Sequence, residues 1–268
     1  MTTAPDGLPP LRAADTAALD WRADDSGEAS PYSQAFDDVY FSRHDGRAET
    51  EHVFIDANRL PERFAAWHKP RPFVIVETGF GTGLNMLCAW HAFECHARAD
   101  ARLHLVSTER FPMEREDLAR ALANWPDLAA KAARLLDQWP AAVTGVHRLH
   151  LAPQVTLDMH IGDSVECLAL LDGYADAWFL DGFAPSKNPE MWRPELYQQM
   201  AARSRPGATF ATFTCAGVVK RGLKAAGFAW RKVPGFGRKR EMLAGEIATP
   251  APDERRKSTP WFLPPAPR

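Results

Sequence analysis

The sequence predicts an α/β protein with a doubly wound, mostly parallel sheet that carries helices on both faces. From residue 73 onwards, apolar segments of strand length alternate with longer segments of helical periodicity. A glycine-rich turn joins the first of these strands to a helix, as in many ligand-binding α/β proteins. The chain has 268 residues, of which 46% are apolar and 25% charged, so it has enough apolar sequence for a sizeable globular core.

The first 70 residues are predicted to form a flexible tail, residues 1–17, and an N-terminal extension packed on the core, residues 18–70. The tail is rich in Ala, Pro and Asp. Short apolar segments broken by turn residues predict a small β-rich layer in the extension; they lie at 19–21, 31–36, 39–41 and 53–55. A short helix is expected at 60–68, with Pro61 at its start.

Residues 71–248 are predicted to form the α/β core, and residues 249–268 a proline-rich tail. Strands are expected at 73–77, 102–109, 145–151, 155–161, 177–181, 208–214, 228–233 and 240–246. Helices are expected at 84–96, 117–123, 128–139, 164–171, 194–202 and 218–226. The last two strands are joined by residues 234–239, a loop too short for a parallel crossover, so this pair is predicted to be antiparallel.

Several classes of protein are disfavoured by the sequence. No apolar run approaches the length of a membrane span, and residues 1–18 lack the apolar segment of a signal peptide, so a cytoplasmic protein is expected. The four cysteines include no CxxC pair, and the spacing of the nine histidines predicts no metal site.

Charge is distributed unevenly along the chain, although the net charge is only −2. Residues 1–180 hold 16 Lys and Arg against 27 Asp and Glu, whereas residues 181–268 hold 16 against 7. Such a chain can bind a polyanion with its basic part. The same distribution also fits an ordinary solvated surface.

A glycine-rich turn follows the first core strand, in the sequence Glu77-Thr-Gly79-Phe-Gly81-Thr-Gly83. Glycines at alternate positions allow a tight turn and close approach of a ligand to the N-terminus of the next helix. The spacing is GxGxG rather than the GxGxxG of dinucleotide-binding proteins. Two further acids follow later strands: Glu109 suits hydrogen bonds to a ribose diol, and Asp163 suits an adenine amino group. Each acid alone also fits a helix cap or a surface charge.

This pattern resembles the class I S-adenosylmethionine-dependent methyltransferases, whose Rossmann-like sheet has a reversed last strand. The resemblance implies S-adenosyl-L-methionine as cofactor. Phe80 is expected near its sulfonium through cation–π attraction, or else as an ordinary packing residue. The candidate cofactor-binding residues are Glu77, Gly79, Phe80, Gly81, Gly83, Asn85, Glu109, Asp163 and Ser164.

A second motif, Asp181-Gly-Phe-Ala-Pro185 followed by Asn188-Pro-Glu-Met-Trp192, narrows the resemblance. It is similar to the tRNA wobble-uridine aminomethyl methyltransferases, both the stand-alone MnmD type and the N-terminal domain of bifunctional MnmC. Segments in the extension and near the C-terminus follow the same family, so the match runs through residues 19–246. They are Phe36-Asp-Asp-Val-Tyr-Phe-Ser42, Glu49-Thr50, Leu60-Pro-Glu-Arg63 and Gly235-Phe-Gly-Arg-Lys-Arg-Glu-Met242.

The resemblance implies methyl transfer to the 5-aminomethyl group of a uridine or 2-thiouridine at the tRNA wobble position. An ammonium has no lone pair, so the amine must be neutral to react, and a nearby carboxylate can accept its proton. Asp181 is the candidate catalytic residue, although an Asp-Gly pair also forms ordinary turns.

A tRNA anticodon stem-loop is the implied partner, with its wobble base turned out and stacked on an aromatic ring. The candidate rings are Tyr40, Phe41 and Trp192, although each also fits ordinary packing. Lys and Arg residues of the C-terminal part are expected to contact phosphates, most densely at 238–240. The candidate substrate-binding residues are Tyr40, Phe41, Phe183, Pro185, Lys187, Asn188, Trp192, Arg238, Lys239 and Arg240. The bifunctional relatives continue into a flavin-dependent domain, so a separate flavin-dependent oxidoreductase acting upstream is a further expected partner.

Three alternatives remain open on the sequence alone. The chain could be a class I methyltransferase acting on a small-molecule or protein amine. It could be a nucleotide- or RNA-binding module without activity, which the complete set of motif residues disfavours. A nicotinamide-dependent dehydrogenase is disfavoured by the absence of GxGxxG.

Overall fold

A mixed sheet of eight strands forms the centre of the protein in a computed structural model, which describes residues 12–23, 29–41, 46–237 and 239–248. Its strands are β4 (Phe73–Thr78), β5 (Leu103–Glu109), β6 (Gly145–Ala152), β7 (Val155–Ile161), β8 (Ala175–Leu180), β9 (Ser204–Thr212), β10 (Phe228–Pro234) and β11 (Glu241–Ile247). Their order across the sheet is β10-β11-β9-β8-β4-β5-β7-β6. The predicted doubly wound sheet is confirmed.

Helices cover both faces of this sheet. They are α1 (Gly46–Thr50), α2 (Leu60–Ala65), α3 (Leu84–His96), α4 (Arg115–Leu122), α5 (Ala129–Leu136), α6 (Ser164–Ala169), α7 (Pro194–Ala202) and α8 (Gly217–Ala225). All six residues of β4 are buried, and alternate side chains belong to two separate apolar clusters. Phe73 and Ile75 pack with α3, whereas Val74 and Val76 pack with α7 and α8, as expected for a strand between two helical layers.

Two strands of the large sheet run against the others. β11 is antiparallel to both β9 and β10, which confirms the predicted reversal near the C-terminus. β6 is also antiparallel to β7, a reversal that the sequence analysis did not predict. Only residues 153 and 154 separate these two strands, and so short a connection cannot make a parallel crossover.

The N-terminal extension combines a small sheet with helices. Strands β1 (Leu19–Ala23), β2 (Ala29–Ser33) and β3 (Asp38–Val39) form the predicted antiparallel layer. The prediction of an extended segment at 53–55 is wrong, because Glu51–Asp56 continues α1 as a π-helix. Three consecutive apolar residues are too few to distinguish a strand from a buried helix. Phe54 of this helix packs against Phe179 of β8, with ring centroids 5.1 Å apart.

Residues 12–17 fall within the predicted flexible tail, yet they are attached to the core. Ala13 forms an antiparallel bridge with Val143, and the Ala17 N–H donates to the Pro112 carbonyl at 3.1 Å. The prediction of a loose tail is therefore wrong for these six residues. Residues 1–11 and the proline-rich segment 249–268 lie outside the described part of the chain. Within the described ranges, no helix has the length and apolar character needed to cross a bilayer.

Candidate functional site

A cavity of about 720 Å³ lies at the carboxyl ends of the central parallel strands. The turns after β4, β5, β7, β8 and β9 line it, together with residues of the segments 36–41 and 46–50, Phe54, and the loop between β10 and β11. Thirteen predicted site residues line this cavity; they are Tyr40, Phe41, Gly79, Phe80, Gly81, Asn85, Glu109, Asp163, Ser164, Asp181, Phe183, Asn188 and Lys239.

The glycine-rich turn between β4 and α3 shapes one wall of the cavity. Gly79, Gly81 and Gly83 all have positive φ angles, which L side chains rarely adopt. A Cβ at Gly79 would lie 3.1 Å from the Cα of Gly182, so the turns after β4 and β8 approach closely. The turn thus brings backbone from two neighbouring strands to one side of the cavity.

Glu109, at the end of β5, supports this turn. One carboxylate oxygen accepts the Gly81 N–H at 3.0 Å, and the other accepts the Phe111 N–H at 2.9 Å. Burial raises the pKa of Glu109, and these N–H groups oppose that rise. The carboxylate lines the cavity and retains lone pairs for a ligand hydroxyl.

Asn85 joins the carboxyl ends of β4 and β8 through its side-chain amide. Its Nδ2 donates to Glu77 Oε1 at 2.9 Å and to Asp181 Oδ2 at 2.7 Å. Its Oδ1 accepts the Thr50 hydroxyl at 2.8 Å, and Ser107 donates to the second oxygen of Glu77 at 2.6 Å. The amide therefore separates two carboxyl groups and orients Asp181.

Asp181 follows β8 directly and lines the cavity. Removal from bulk water raises the pKa of its carboxyl to about 6, although the Gly182 N–H and the Asn85 amide lower it. Glu49 contributes to the rise and Lys239 opposes it. A carboxylate with a pKa near 6 is mostly ionised at neutral pH and can accept a proton from a bound ligand.

Asp163 and Ser164 occupy the start of α6. Asp163 caps this helix, because its Oδ1 accepts the N–H groups of Val165 and Glu166. Burial raises the pKa of Asp163, but the hydrogen bonds from Arg193 and from the helix N–H groups outweigh this and lower it. Ser164 shares a 2.7 Å hydrogen bond with Thr108. Both residues line the cavity, so the capping role and a ligand contact are compatible at this position.

Aromatic rings from the N-terminal extension meet Phe183 in the cavity. Tyr40 packs edge-on against Phe183, with ring centroids 5.0 Å apart, and Phe36 stacks on it at 4.6 Å. Phe41 also lines the cavity and packs edge-on against Trp125 at 4.9 Å. Phe80 is buried and stacks on Trp139 at 5.2 Å, so its ring packs in the core as well as lining the cavity.

Two predicted site residues lie behind the cavity wall. Trp192 is 1% exposed, and its indole N–H donates to the Phe183 carbonyl at 2.8 Å, so the prediction that its ring stacks on a base is wrong. Glu77 is fully buried and reaches the cavity only through Asn85, so the prediction of a direct cofactor contact is also wrong. Both are fixed by hydrogen bonds that the sequence pattern did not reveal.

The remaining candidates are not among the residues that line the cavity. Gly83 caps the N-terminus of α3, where a Cβ would lie 2.5 Å from the Phe80 ring. Pro185 is half-buried, and Arg240 is exposed. Lys187 is exposed and pairs with Asp37 at 2.6 Å. Arg238 lies outside the described residues.

Several residues that line the cavity were not among the predicted site residues, and three of them are Phe36, Glu49 and Thr50. Glu49 pairs with Lys239 of the β10–β11 loop, with 2.7 Å between Oε1 and Nζ. The signal for all three was their place in the segments that carried the family resemblance. Their roles depend on contacts across the cavity, which no local pattern encodes.

Comparison with known proteins agrees with this geometry. Residues 126–248 match a family described as S-adenosyl-L-methionine-dependent methyltransferase. The chain is 70% identical over 261 residues to the tRNA 5-methylaminomethyl-2-thiouridine biosynthesis bifunctional protein MnmC of Chromohalobacter salexigens. The chain belongs to the S-adenosyl-L-methionine-dependent methyltransferases. This match covers 97% of the chain and the N-terminal 37% of that MnmC.

Other relatives of this methyltransferase support the same assignment. MnmC of Ectopseudomonas mendocina is 56% identical over 254 residues, which cover 94% of this chain and 37% of that protein. The chain thus spans little more than a third of the length of these curated relatives. The crystal structure of MnmC2 from Aquifex aeolicus matches with a TM-score of 0.68 and 19% identity, over 87% of this chain and 71% of that one. This structural match confirms the methyltransferase fold.

The cavity of this methyltransferase fits S-adenosyl-L-methionine in size and chemistry. Its volume of about 720 Å³ is within the range of small-molecule and cofactor sites. The glycine turn leaves room for a ligand where side chains would otherwise project, and the adjoining N-terminus of α3 favours negative charge.

Proposed function

We propose that this methyltransferase transfers a methyl group to the primary amine of 5-aminomethyluridine, or its 2-thio form, at the wobble position of tRNA. The product is the 5-methylaminomethyl nucleoside. The observation that carries the proposal is Asp181, a carboxylate that lines the cavity beside the glycine turn and is oriented by Asn85. The name of the MnmC relatives, which refers to biosynthesis of 5-methylaminomethyl-2-thiouridine in tRNA, supports the choice of substrate.

The methyl donor would be held by the glycine turn and by residues at neighbouring strand ends. When bound, S-adenosyl-L-methionine supplies an electrophilic methyl group on a sulfonium. In the proposal, Gly79 and Gly81 allow close approach of the ligand, and Glu109 accepts hydrogen bonds from its ribose. Asp163 and Ser164 lie at the position proposed for the adenine end. Phe80 lines the cavity as well, and its aromatic ring is proposed to lie near the sulfonium.

Asp181 is proposed to orient the substrate amine and to accept its proton. The amine must be neutral to attack a methyl group, and an alkyl amine is mostly protonated at neutral pH. A pKa of about 6 leaves Asp181 ionised at neutral pH, yet more basic than an ordinary aspartate. Holding the amine in line with the reacting bond supplies much of the remaining rate enhancement.

The substrate base is proposed to enter between the N-terminal extension and the loop 182–191. Phe183, Tyr40 and Phe41 offer aromatic faces for a base turned out of the anticodon loop, and Asn188 offers a polar contact. The basic residues Lys187, Lys239 and Arg240 are exposed around this side, where they can contact phosphates. The proposed partner is therefore the tRNA anticodon stem-loop.

A flavin-dependent oxidoreductase is proposed to act before this methyl transfer, because the reaction needs a free aminomethyl group that a preceding reaction must supply. The proposed tRNA substrate supports the proposal that the reaction takes place in the cytoplasm.

The proposed function is tested by a methyl-transfer assay. Labelled S-adenosyl-L-methionine and purified protein are mixed with tRNA carrying 5-aminomethyl-2-thiouridine, and nucleosides are separated after digestion. Label is expected in the wobble nucleoside and should fall by about 10²- to 10⁴-fold in Asp181→Asn, since a general base contributes rate enhancements of that order. Cofactor binding without transfer to this tRNA would instead favour a small-molecule or protein amine as the acceptor.

A further inference from the structure

Glu49 takes no part in the proposed methyl transfer, although it lines the same cavity as Asp181. We propose that Glu49 binds the protonated aminomethyl group of the incoming substrate, and that Lys239, its partner in the free protein, then turns to a phosphate of the RNA. This inference rests on the proposed function. It makes Glu49 a determinant of specificity for a cationic substituent on the base.

The Glu49–Lys239 pair joins two distant parts of the chain across the cavity. Glu49 belongs to α1, and Lys239 belongs to the loop between β10 and β11; Oε1 and Nζ are 2.7 Å apart. The Glu49 side chain is 16% exposed, whereas that of Lys239 is 49% exposed. The carboxylate is thus directed towards the interior of the site and the ammonium towards solvent.

The charges around Asp181 favour a cationic ligand. Glu49 is close enough to raise the pKa of Asp181, and Lys239 is close enough to lower it. A protonated amine that enters the cavity loses water and needs a compensating negative charge. Glu49 can supply this charge while Asp181 remains available as the proton acceptor. Exchange of one ammonium partner for another preserves the charge balance at Glu49.

Lys239 is placed to leave Glu49 without becoming buried. Its side chain is half exposed, and its Nζ also lies 4.6 Å from the centroid of the Phe213 ring. Because the Lys239 ammonium is half exposed, water can replace Glu49 around it when the pair separates, and the incoming ammonium takes its place at the carboxylate. A phosphate of the anticodon loop would replace the lost partner and release counterions.

A second ion pair on the same hairpin provides a matched control. Lys232 and Glu241 also lie 2.7 Å apart, and their side chains are 46% and 47% exposed. Neither residue lines the cavity. Glu241→Gln therefore removes a similar charge from the same hairpin without changing the proposed binding site.

The experiment compares two anticodon stem-loops that differ in one group. One carries 5-aminomethyluridine and the other 5-hydroxymethyluridine at the wobble position. Wild-type protein and Glu241→Gln are expected to bind the aminomethyl form about tenfold or more tightly than the hydroxymethyl form, as a charge-assisted hydrogen bond predicts. In Glu49→Gln this ratio should fall to near one. Unchanged S-adenosyl-L-methionine binding verifies that the variant folds.

Lys239→Met separates charge recognition from a merely structural ion pair. In this variant the preference for the aminomethyl form should persist, while the slope of log affinity against log salt should decrease by about one. In the double variant with Glu49→Gln, the fold-losses in RNA affinity of the two single variants should multiply. Loss of the preference in Lys239→Met to the same extent as in Glu49→Gln would overturn the inference.

The remaining outcomes separate this inference from the proposed function. A ratio in Glu49→Gln equal to that of wild type overturns the role of Glu49 even if methyl transfer is normal. Absence of methyl transfer in wild type refutes the proposed function. In that case a preference for the aminomethyl form that depends on Glu49 would still support cation recognition by this residue. Absence of such a preference would overturn the role proposed for Glu49.

Discussion

The cavity has two sides that are built in different ways. On the sheet side, which comprises the turns after β4, β5 and β8, neighbouring strands hold the site together through buried contacts such as Gly79 N–H to the Thr108 carbonyl at 2.9 Å. On the rim, which comprises residues 36–41, 46–50, 235–237, 239 and 240, residues 190 positions apart meet in the pair between Glu49 and Lys239.

This difference separates a rigid part of the site from an adaptable part. Buried hydrogen bonds in a packed sheet have no water to replace a lost partner, so they hold one geometry. Exposed ion pairs contribute little free energy and exchange partners readily. The sheet side therefore suits a methyl donor that is the same in every turnover, and the rim suits a large substrate that must enter and leave.

The largest expected contrast comes from two glycines with positive φ, Gly83 on the sheet side and Gly237 on the rim. A Cβ at Gly83 would lie 2.5 Å from the ring of buried Phe80, whereas a Cβ at Gly237 would have no neighbour within 4 Å. Gly83→Ala should lower the free energy of unfolding by about 3 kcal/mol and weaken cofactor binding, and Gly237→Ala should lower it by about 1 kcal/mol. Urea unfolding measures the free energy of unfolding, and calorimetric titration measures cofactor binding. Equal losses of unfolding free energy in the two variants would contradict the contrast.

Two ion pairs extend the comparison to charged groups, one at the opposite, amino-terminal edge of the sheet and one at the rim of the cavity. Arg71 forms a bidentate ion pair with the buried carboxylate of Asp176, with N–O distances of 2.6 and 2.7 Å. The same carboxylate also accepts the Val74 N–H. Arg71→Met should destabilise the protein by about 3 kcal/mol, because it leaves a buried carboxylate unpaired. Lys187→Met removes the exposed partner of Asp37 and should leave the unfolding curve unchanged. A comparable loss in both variants would show that the rim is as firmly held as the sheet.

The pH dependence of methyl transfer sharpens the comparison at Asp181. Its pKa is raised to about 6, so below this pH its carboxyl is protonated and cannot accept a proton from the amine. The single-turnover rate should therefore fall about tenfold per pH unit below about 6 through this group, in addition to any effect of the amine. Asp181→Asn should lack the step near pH 6 in the rate profile. Persistence of this step in the variant would assign the step to another group.

Asn85 offers the smallest and most specific effect. Its amide lowers the pKa of Asp181, so Asn85→Leu should move the step to higher pH by about one unit, the equivalent of one hydrogen bond. Ser107→Ala is the matched control, because Ser107 contacts Glu77 rather than Asp181 and should leave the midpoint in place. The pH profile of each variant checks this; a lower rate with the midpoint unchanged in Asn85→Leu would indicate a structural role alone.

The sheet side could be predicted from the sequence, because its information is local. The turn from Glu77 to Gly83 follows an apolar strand and precedes a helix, and Asp181 follows another buried strand. Carboxyl ends of parallel strands meet at one edge of the sheet, so such residues converge whatever the details of packing. Local pattern was not sufficient for residues 53–55 or for Trp192, where burial against distant elements decides the outcome.

The sequence by itself determined the doubly wound sheet, the glycine turn and the set of acids at the strand ends, because hydrophobic periodicity and turn residues act over a few positions. The tertiary structure alone decided that Asn85 links Glu77 to Asp181, that Trp192 packs inside, and that Glu49 meets Lys239. These contacts join residues far apart in the chain, and their partners are selected by the packing of whole elements rather than by any local preference.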